Sequence, residues 1–90
     1  MKLNLDDAAV MLWLPKGEKP RPEHFEIHAS LGPPNPNPEP WWHLSGALLN
    51  SRIVDNHGKE PWIKVGGNVL SPAQVLRAYE AFEDGQDIYV

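Results

Sequence analysis

Proline restricts this chain more than any other residue type. Five of its ten prolines fall within eight consecutive positions, residues 33–40. Because proline lacks a backbone N–H and fixes φ, such a stretch cannot pair as a central β-strand. We therefore predict an extended, polyproline-like loop over residues 32–40, with Trp41 and Trp42 at its exit.

The remaining composition is typical of one small globular domain, which we assign to residues 1–90. The chain has 90 residues, and 41% of them are hydrophobic. A domain of this size buries roughly 60–65 % of the surface that its unfolded chain exposes, which leaves little room for a deep substrate cavity. The absence of cysteine excludes disulfides and thiolate zinc sites.

The net charge of -4 is concentrated near one end of the sequence. Residues 1–77 contain eight acidic and eight basic side chains, so the excess comes from four later carboxylates: Glu80, Glu83, Asp84 and Asp87. This distribution lacks the basic footprint of a nucleic-acid or anionic-lipid binder, although Lys16, Lys19 and Arg21 form a local basic patch. We therefore expect no direct contact with nucleic acid.

The sequence also lacks the pattern of a targeting signal. The apolar run at 8–14 follows Asp6 and Asp7, whereas a signal peptide begins with basic residues. No segment approaches the roughly 20 consecutive apolar residues of a membrane span. We predict a cytoplasmic protein that makes no contact with a membrane.

The clearest secondary-structure signal is a helix start at residues 71–74, Ser-Pro-Ala-Gln. A hydroxyl at the N-cap and an amide three positions later form a capping box, and proline suits the first helical position. Gly85 suits the position just beyond the helix. We predict a helix over 72–83, whose apolar stripe consists of Val75, Leu76, Tyr79 and Phe82.

The N-terminal segment 5–14 predicts a short helix, with Asn4 or Asp6 as its cap and Pro15 as its stop. Periodicity cannot decide between helix and strand over so short an apolar run. A buried strand over 10–14 is therefore the alternative.

Four further segments have the character of strands, namely 24–29, 44–54, 61–65 and 88–90. A polar turn at 55–58 and a glycine bend at 66–68 separate some of them. The sequence predicts an α+β fold, in which a small antiparallel sheet of three to four strands carries the short N-terminal helix and the C-terminal helix on one face.

Two surface features predict contact with another protein. Acidic residues crowd the last turns of the C-terminal helix, where the helix dipole favours cations. Tryptophan is enriched at interface hot spots, and Trp41 and Trp42 point to opposite faces if they lie on a strand, so we expect one to be buried and the other partly exposed. The predicted partner-binding residues are Glu80, Glu83, Asp84, Asp87, Trp41 and Trp42.

We interpret the chain as a non-catalytic protein-binding module without a cofactor. It would act as a small inhibitor or adaptor that docks on a basic surface of a larger partner, such as a machine that handles nucleic acid. Small, cysteine-free, mildly acidic chains of this kind are typical of phage or mobile-element accessory proteins, an analogy at the level of the class.

The histidines support an alternative function. Two His-x-Ser triplets, His28 to Ser30 and His43 to Ser45, match a pattern that one class of phosphoesterases uses for general acid–base catalysis. A hairpin centred near residue 36 would place His28 opposite His43, with His24 close enough to complete a metal-binding trio. No established metal motif is present, so we favour solvent-facing histidines and assign no metal site.

Overall fold

The computed structural model describes residues 2–26, 38–53 and 58–89. These residues form an α+β fold, which confirms the predicted class. A four-stranded antiparallel sheet has the strand order β3-β2-β4-β5, and a separate two-stranded sheet pairs β1 with β6. The strands are β1 (Lys2–Leu3), β2 (Ala9–Pro15), β3 (Glu39–Trp41), β4 (Lys59–Val65), β5 (Asn68–Leu70) and β6 (Ile88–Tyr89), and the α-helices are α1 (Leu44–Ile53) and α2 (Pro72–Glu83).

The four-stranded sheet is covered differently on its two faces. Side chains of β2 and β4 on the inner face, including Met11 and Ile63, pack with buried residues of α1 and α2 such as Leu48 and Val75. The outer face carries Leu12, Leu14 and Trp62, and there Phe25 packs against it from a short 3-10 helix (Pro22–Phe25). Both helices therefore lie on one side of the sheet.

The predicted N-terminal helix is wrong, because residues 9–15 form β2, the strand that pairs with both β3 and β4. Met11 and Leu12 are adjacent in sequence, yet both are completely buried. Their side chains point to opposite faces of the sheet, and each face is covered by other parts of the chain. A strand that is covered on both faces has a continuous apolar sequence. The alternative prediction, a buried strand over 10–14, is therefore confirmed.

The strand predicted at 44–54 is also wrong, because Leu44–Ile53 form α1; residue 54 lies outside the described residues. The buried side chains are Leu44, Ala47, Leu48 and Ser51. This spacing of three and four residues belongs to a helix, whereas a strand buries every second residue. The Ser51 hydroxyl donates a hydrogen bond of 2.6 Å to the carbonyl of Leu48, which satisfies the polar group inside the core.

The strand predicted at 24–29 is not formed at its start, where His24 and Phe25 belong to the 3-10 helix. Pro22 favours a helical turn here because its fixed φ suits the first position of a helix. Residues 27–29 lie outside the described residues. The same holds for 32–37 of the predicted proline loop, while residues 39–40 of that loop belong to β3. In the described part of the sheet β3 is an edge strand, where proline is tolerated.

The C-terminal helix is confirmed with the predicted bounds, Pro72–Glu83. The Ser71 hydroxyl accepts a hydrogen bond of 3.4 Å from the backbone N–H of Gln74. In return, the side-chain oxygen Oε1 of Gln74 accepts one of 2.9 Å from the backbone N–H of Ser71. At the other end Gly85 has φ 69, and the amide of Gln86 reaches back to the carbonyl of Ala81 at 2.8 Å. The positive φ of Gly85 and the bond from Gln86 to Ala81 belong to a Schellman motif, which closes the helix.

The predicted strand at 61–65 is confirmed and begins two residues earlier, at Lys59. The predicted bend at 66–68 is the turn of a hairpin, in which Val65 pairs with Asn68 across Gly66 and Gly67. Gly66 has φ 59, a value that suits the two-residue turns of β-hairpins. The terminal strand is confirmed as β6, and residues 55–57 lie outside the described residues.

No helix within the described ranges has the length and apolar character that crossing a bilayer requires.

The helical register of α1 predicts that two neighbouring leucines contribute unequally to stability. Leu48 is fully buried, whereas Leu49 is 39% exposed. Leu48→Ala should lower the free energy of unfolding by about 2–5 kcal/mol, because it leaves a cavity in the core. The matched change Leu49→Ala should cost less than about 1 kcal/mol. Urea denaturation followed by circular dichroism measures both, and equal losses would contradict the register.

The capping box of α2 gives a second prediction. Ser71→Ala removes the acceptor for the Gln74 amide and should lower the free energy of unfolding by about 0.5–2 kcal/mol. Ser71→Asp keeps an acceptor oxygen at the N-cap and should retain most of the stability. The same denaturation experiment compares the two variants, and a Ser71→Asp variant as unstable as Ser71→Ala would show that the cap does not act as described.

Candidate protein-binding surfaces

The two adjacent tryptophans have different environments. Trp41 is half-buried on the inner face, where its ring lies so close to α1 that a Cβ on Gly46 would be 3.1 Å from Trp41 Cε3. Trp42 follows the end of β3 and is 88% exposed. One indole therefore contributes to the core, and the other is left in solvent.

The backbone on both sides of Trp42 is held in place. Before it, Trp41 pairs with Ala9 of β2. After it, the ring nitrogen Nδ1 of His43 lies 3.0 Å from the carbonyl oxygen of Asp6, and the amide of Leu44 donates to the carbonyl of Asp7 at 2.8 Å. The carbonyls of Asp7 and Leu5 accept hydrogen bonds from the backbone amides of Leu44 and Ser45, which lie at the start of α1. Trp42 thus projects from a fixed stretch of backbone.

Trp42 lines an open groove of about 470 Å³ on the outer face of the sheet. Most of the groove surface is apolar, and Lys64 of β4 is the charged residue among the described ones that line it. The residues that line it are Ala8, Ala9, Val10, Phe25, Pro40, Trp41, Trp42, Lys64 and Gly66. We call it the Trp42 groove.

A second groove of about 420 Å³ adjoins the first, because Phe25 and Lys64 line both. It contains Trp62 and two more basic side chains, Lys19 and Arg21. Its lining residues are Lys19, Pro20, Arg21, Pro22, Phe25, Trp62, Lys64, Gly67 and Val69. We call it the Trp62 groove. Arg21 also has an exposed ion pair with Glu23 at 3.9 Å.

Sequence reasoning missed both grooves. It identified Lys16, Lys19 and Arg21 as a local basic patch. Lys64 joins the last two in the Trp62 groove because β4 lies beside β2 in the sheet. The available signal was the strand β2 itself, in which Val10, Leu12 and Leu14 alternate with the core side chains and create an apolar outer face. A helix over the same residues gives no such face.

The predicted acidic surface lies at the end of α2. Glu80, Glu83 and Asp84 are all exposed, and the last turn of the helix contains no basic residue. Negative charge at this end is unfavourable to the helix, because the carbonyl end of the dipole is also negative.

Asp87 differs from the other three acids, because it has a cationic partner. The pairing of β1 with β6 brings the two ends of the chain together, and Lys2 Nζ lies 3.3 Å from Asp87 Oδ1. The sequence has no base after Arg77, but the fold supplies one from the N-terminal strand. This ion pair partly offsets the charge of Asp87.

Glu83 also makes a specific contact, a hydrogen bond with the side chain of Tyr79 one turn earlier in α2. This bond, together with partial burial and the negative charge of Glu83, raises the pKa of Tyr79. The nearby positive charge of Arg52 acts in the opposite direction. Arg52 of α1 thus lies near the acidic end of α2.

The structure does not join the two predicted features into one surface. Helix α2 packs on the inner face of the sheet, whereas the Trp42 groove opens on the outer face. Among the described residues that line the Trp42 groove, there is no acidic residue of α2. The two predicted features form separate candidate surfaces.

Of the two His-x-Ser triplets in the phosphodiesterase hypothesis, the structure describes the one that begins at His43. β3 pairs with β2, and His43 lies after β3, with its ring nitrogen at the Asp6 carbonyl. The ring of His24 accepts a hydrogen bond of 3.1 Å from the Arg21 amide inside the 3-10 helix. His28 and Ser30 lie outside the described residues. The backbone amide of Ser45 donates a hydrogen bond of 3.2 Å to the carbonyl oxygen of Leu5.

Among the residues that the structure describes, no three His, Asp or Glu side chains are grouped so that they could hold a metal ion.

Comparisons with protein-family models, with curated proteins and with solved structures found no significant match.

The contact between Glu83 and Tyr79 can be tested by titration. The hydrogen bond stabilises the protonated phenol, so its contribution is present below pH 10 and is lost as the pH rises through the raised pKa of Tyr79. Glu83→Gln should move that pKa back towards 10.0, as followed by the NMR shift of Tyr79 Cζ. The matched change Glu80→Gln should have a smaller effect, and equal shifts would contradict the contact.

Proposed function

We propose that this chain is a non-catalytic protein-binding module, a small inhibitor or adaptor that docks on a larger protein. The observation that carries the proposal is Trp42, whose indole is 88% exposed beside an apolar groove. An exposed tryptophan keeps a large apolar surface in contact with water, which is unfavourable unless a partner covers it. Tryptophan side chains are enriched at the centres of protein interfaces.

The rigid backbone around Trp42 supports this proposal. Strand pairing at Trp41 and the bonds from His43 and Leu44 to the segment 5–7 hold this stretch before any partner binds. Little conformational entropy is then lost on binding, which favours affinity.

The acidic end of α2 supplies the electrostatic part of the proposal. Glu80, Glu83 and Asp84 are exposed at a helix end that favours cations, so their presence reduces helix stability. A basic partner surface, such as that of a machine that handles nucleic acid, would be attracted by these charges and would associate faster. Blocking such a surface is one way in which a small acidic protein inhibits.

Affinity capture from a lysate of the native host tests this function. The wild-type chain should retain a defined set of proteins at low salt, and retention should fall as salt rises, because salt screens exposed charges. Trp42→Ala should weaken retention about 10-fold or more. The matched control Tyr89→Ala removes another exposed aromatic ring, 66% accessible, and should leave retention unchanged.

A pair of charge variants tests the acidic surface separately. The double change Glu80→Lys and Asp84→Lys leaves the Tyr79 partner Glu83 in place and should abolish salt-sensitive retention. The control double change Glu18→Lys and Glu60→Lys alters the net charge by the same amount on other surfaces. Retention of every captured protein by the first double variant at low salt would refute the electrostatic part of the proposal.

A further inference from the structure

We propose that the two outer-face grooves bind an extended segment of a partner protein that carries carboxylates beside apolar side chains. This inference rests on the proposed protein-binding function and names the chemistry of the ligand. It adds an acidic and apolar segment to the sequence expectation, in which the partner presents a basic surface.

The apolar requirement follows from the floor of the grooves. Val10, Phe25 and Pro40 lie around Trp42, and Trp62 and Val69 continue the apolar surface into the Trp62 groove. Val69 is itself 43% exposed. Because Phe25 lines both grooves, a single segment can place apolar side chains in each of them.

The carboxylate requirement follows from the charges around this floor. Lys64 lies where the two grooves meet, and Lys19 and Arg21 line the second groove. Within the described ranges, none of the residues that line either groove is acidic. An anionic group near Lys64 would therefore meet attraction from three cations.

A peptide fits these grooves better than a single-stranded nucleic acid does. Nucleic acid needs a track of cations along its backbone, in addition to aromatic rings for stacking. Lys64 is the one cation among the described residues of the Trp42 groove, and Glu23 pairs with Arg21 beside the second groove. The net charge of -4 further opposes a polyanion.

The test begins with selection of random 12-residue peptides by phage display against the full chain. Enriched peptides should combine Asp or Glu with Leu, Ile, Phe or Trp. The synthetic winners should bind the wild-type chain, as measured by calorimetry, and Trp42→Ala should weaken that binding about 10-fold or more. Trp42→Phe should restore most of the affinity.

Lys64→Glu should weaken peptide binding to a similar degree. Lys59→Glu makes the same change of charge at the other end of β4, outside both grooves, and should alter affinity less than about 2-fold. Circular dichroism should show that every variant is folded. Peptide binding that is insensitive to both Trp42→Ala and Lys64→Glu would overturn the proposal.

Three other outcomes would also overturn it. The first is no enrichment, or enrichment of peptides without acidic residues. The second is Trp42-dependent binding of the oligonucleotide (dT)12 in place of peptides. The third is a Trp42 groove that is already occupied in the free chain. A paramagnetic solvent probe would then fail to reach the Trp42 indole N–H, or the chain would self-associate in a way that Trp42→Ala abolishes. Lysate retention that Trp42→Ala weakens and Lys64→Glu leaves unchanged would refute this inference and leave the proposed function intact.

Discussion

Burial of β2 on both of its faces is the constraint on which the rest of the structure depends. Met11 on the inner face requires the helices as cover, and Leu12 on the outer face requires the 3-10 helix with Phe25. Each fully buried side chain of this size contributes roughly 1.5–3 kcal/mol relative to an exposed one. A seven-residue strand thereby determines where both layers lie, and the grooves are the part of the outer face that Phe25 leaves uncovered.

The parts of the fold that the sequence predicted are those with local signals. The capping box at Ser71, proline at the first helical position and Gly85 specify α2 through contacts within a few residues. The strand at 61–65 alternates buried and half-buried side chains, so its pattern is also local. For β2, the decisive information is the cover on each face, and this comes from distant residues.

The error at α1 has a different origin. Leu44, Ala47, Leu48 and Ser51 have helical spacing, so the sequence contained the signal. Ser51 is polar and Ala47 is small, and neither strengthens an apolar stripe as a large hydrophobic side chain does. Among the candidate site residues, the exposure of Trp42 agrees with the expectation from strand alternation, whereas the partner of Asp87 and the position of Lys64 depend on strand pairing between distant segments.

Gly46 connects the packing of the core to the position of Trp42. The ring of Trp41 lies against this glycine, and a methyl group there would meet it at 3.1 Å, closer than side chains ordinarily approach. A side chain at position 46 would require the Trp41 ring to shift by a few tenths of an ångström. Trp42 is the next residue along the same backbone, so the fit between Gly46 and Trp41 helps to position the backbone that carries the exposed indole. The geometry of this surface is thus set by a residue that has no side chain and lies on the opposite side of the sheet.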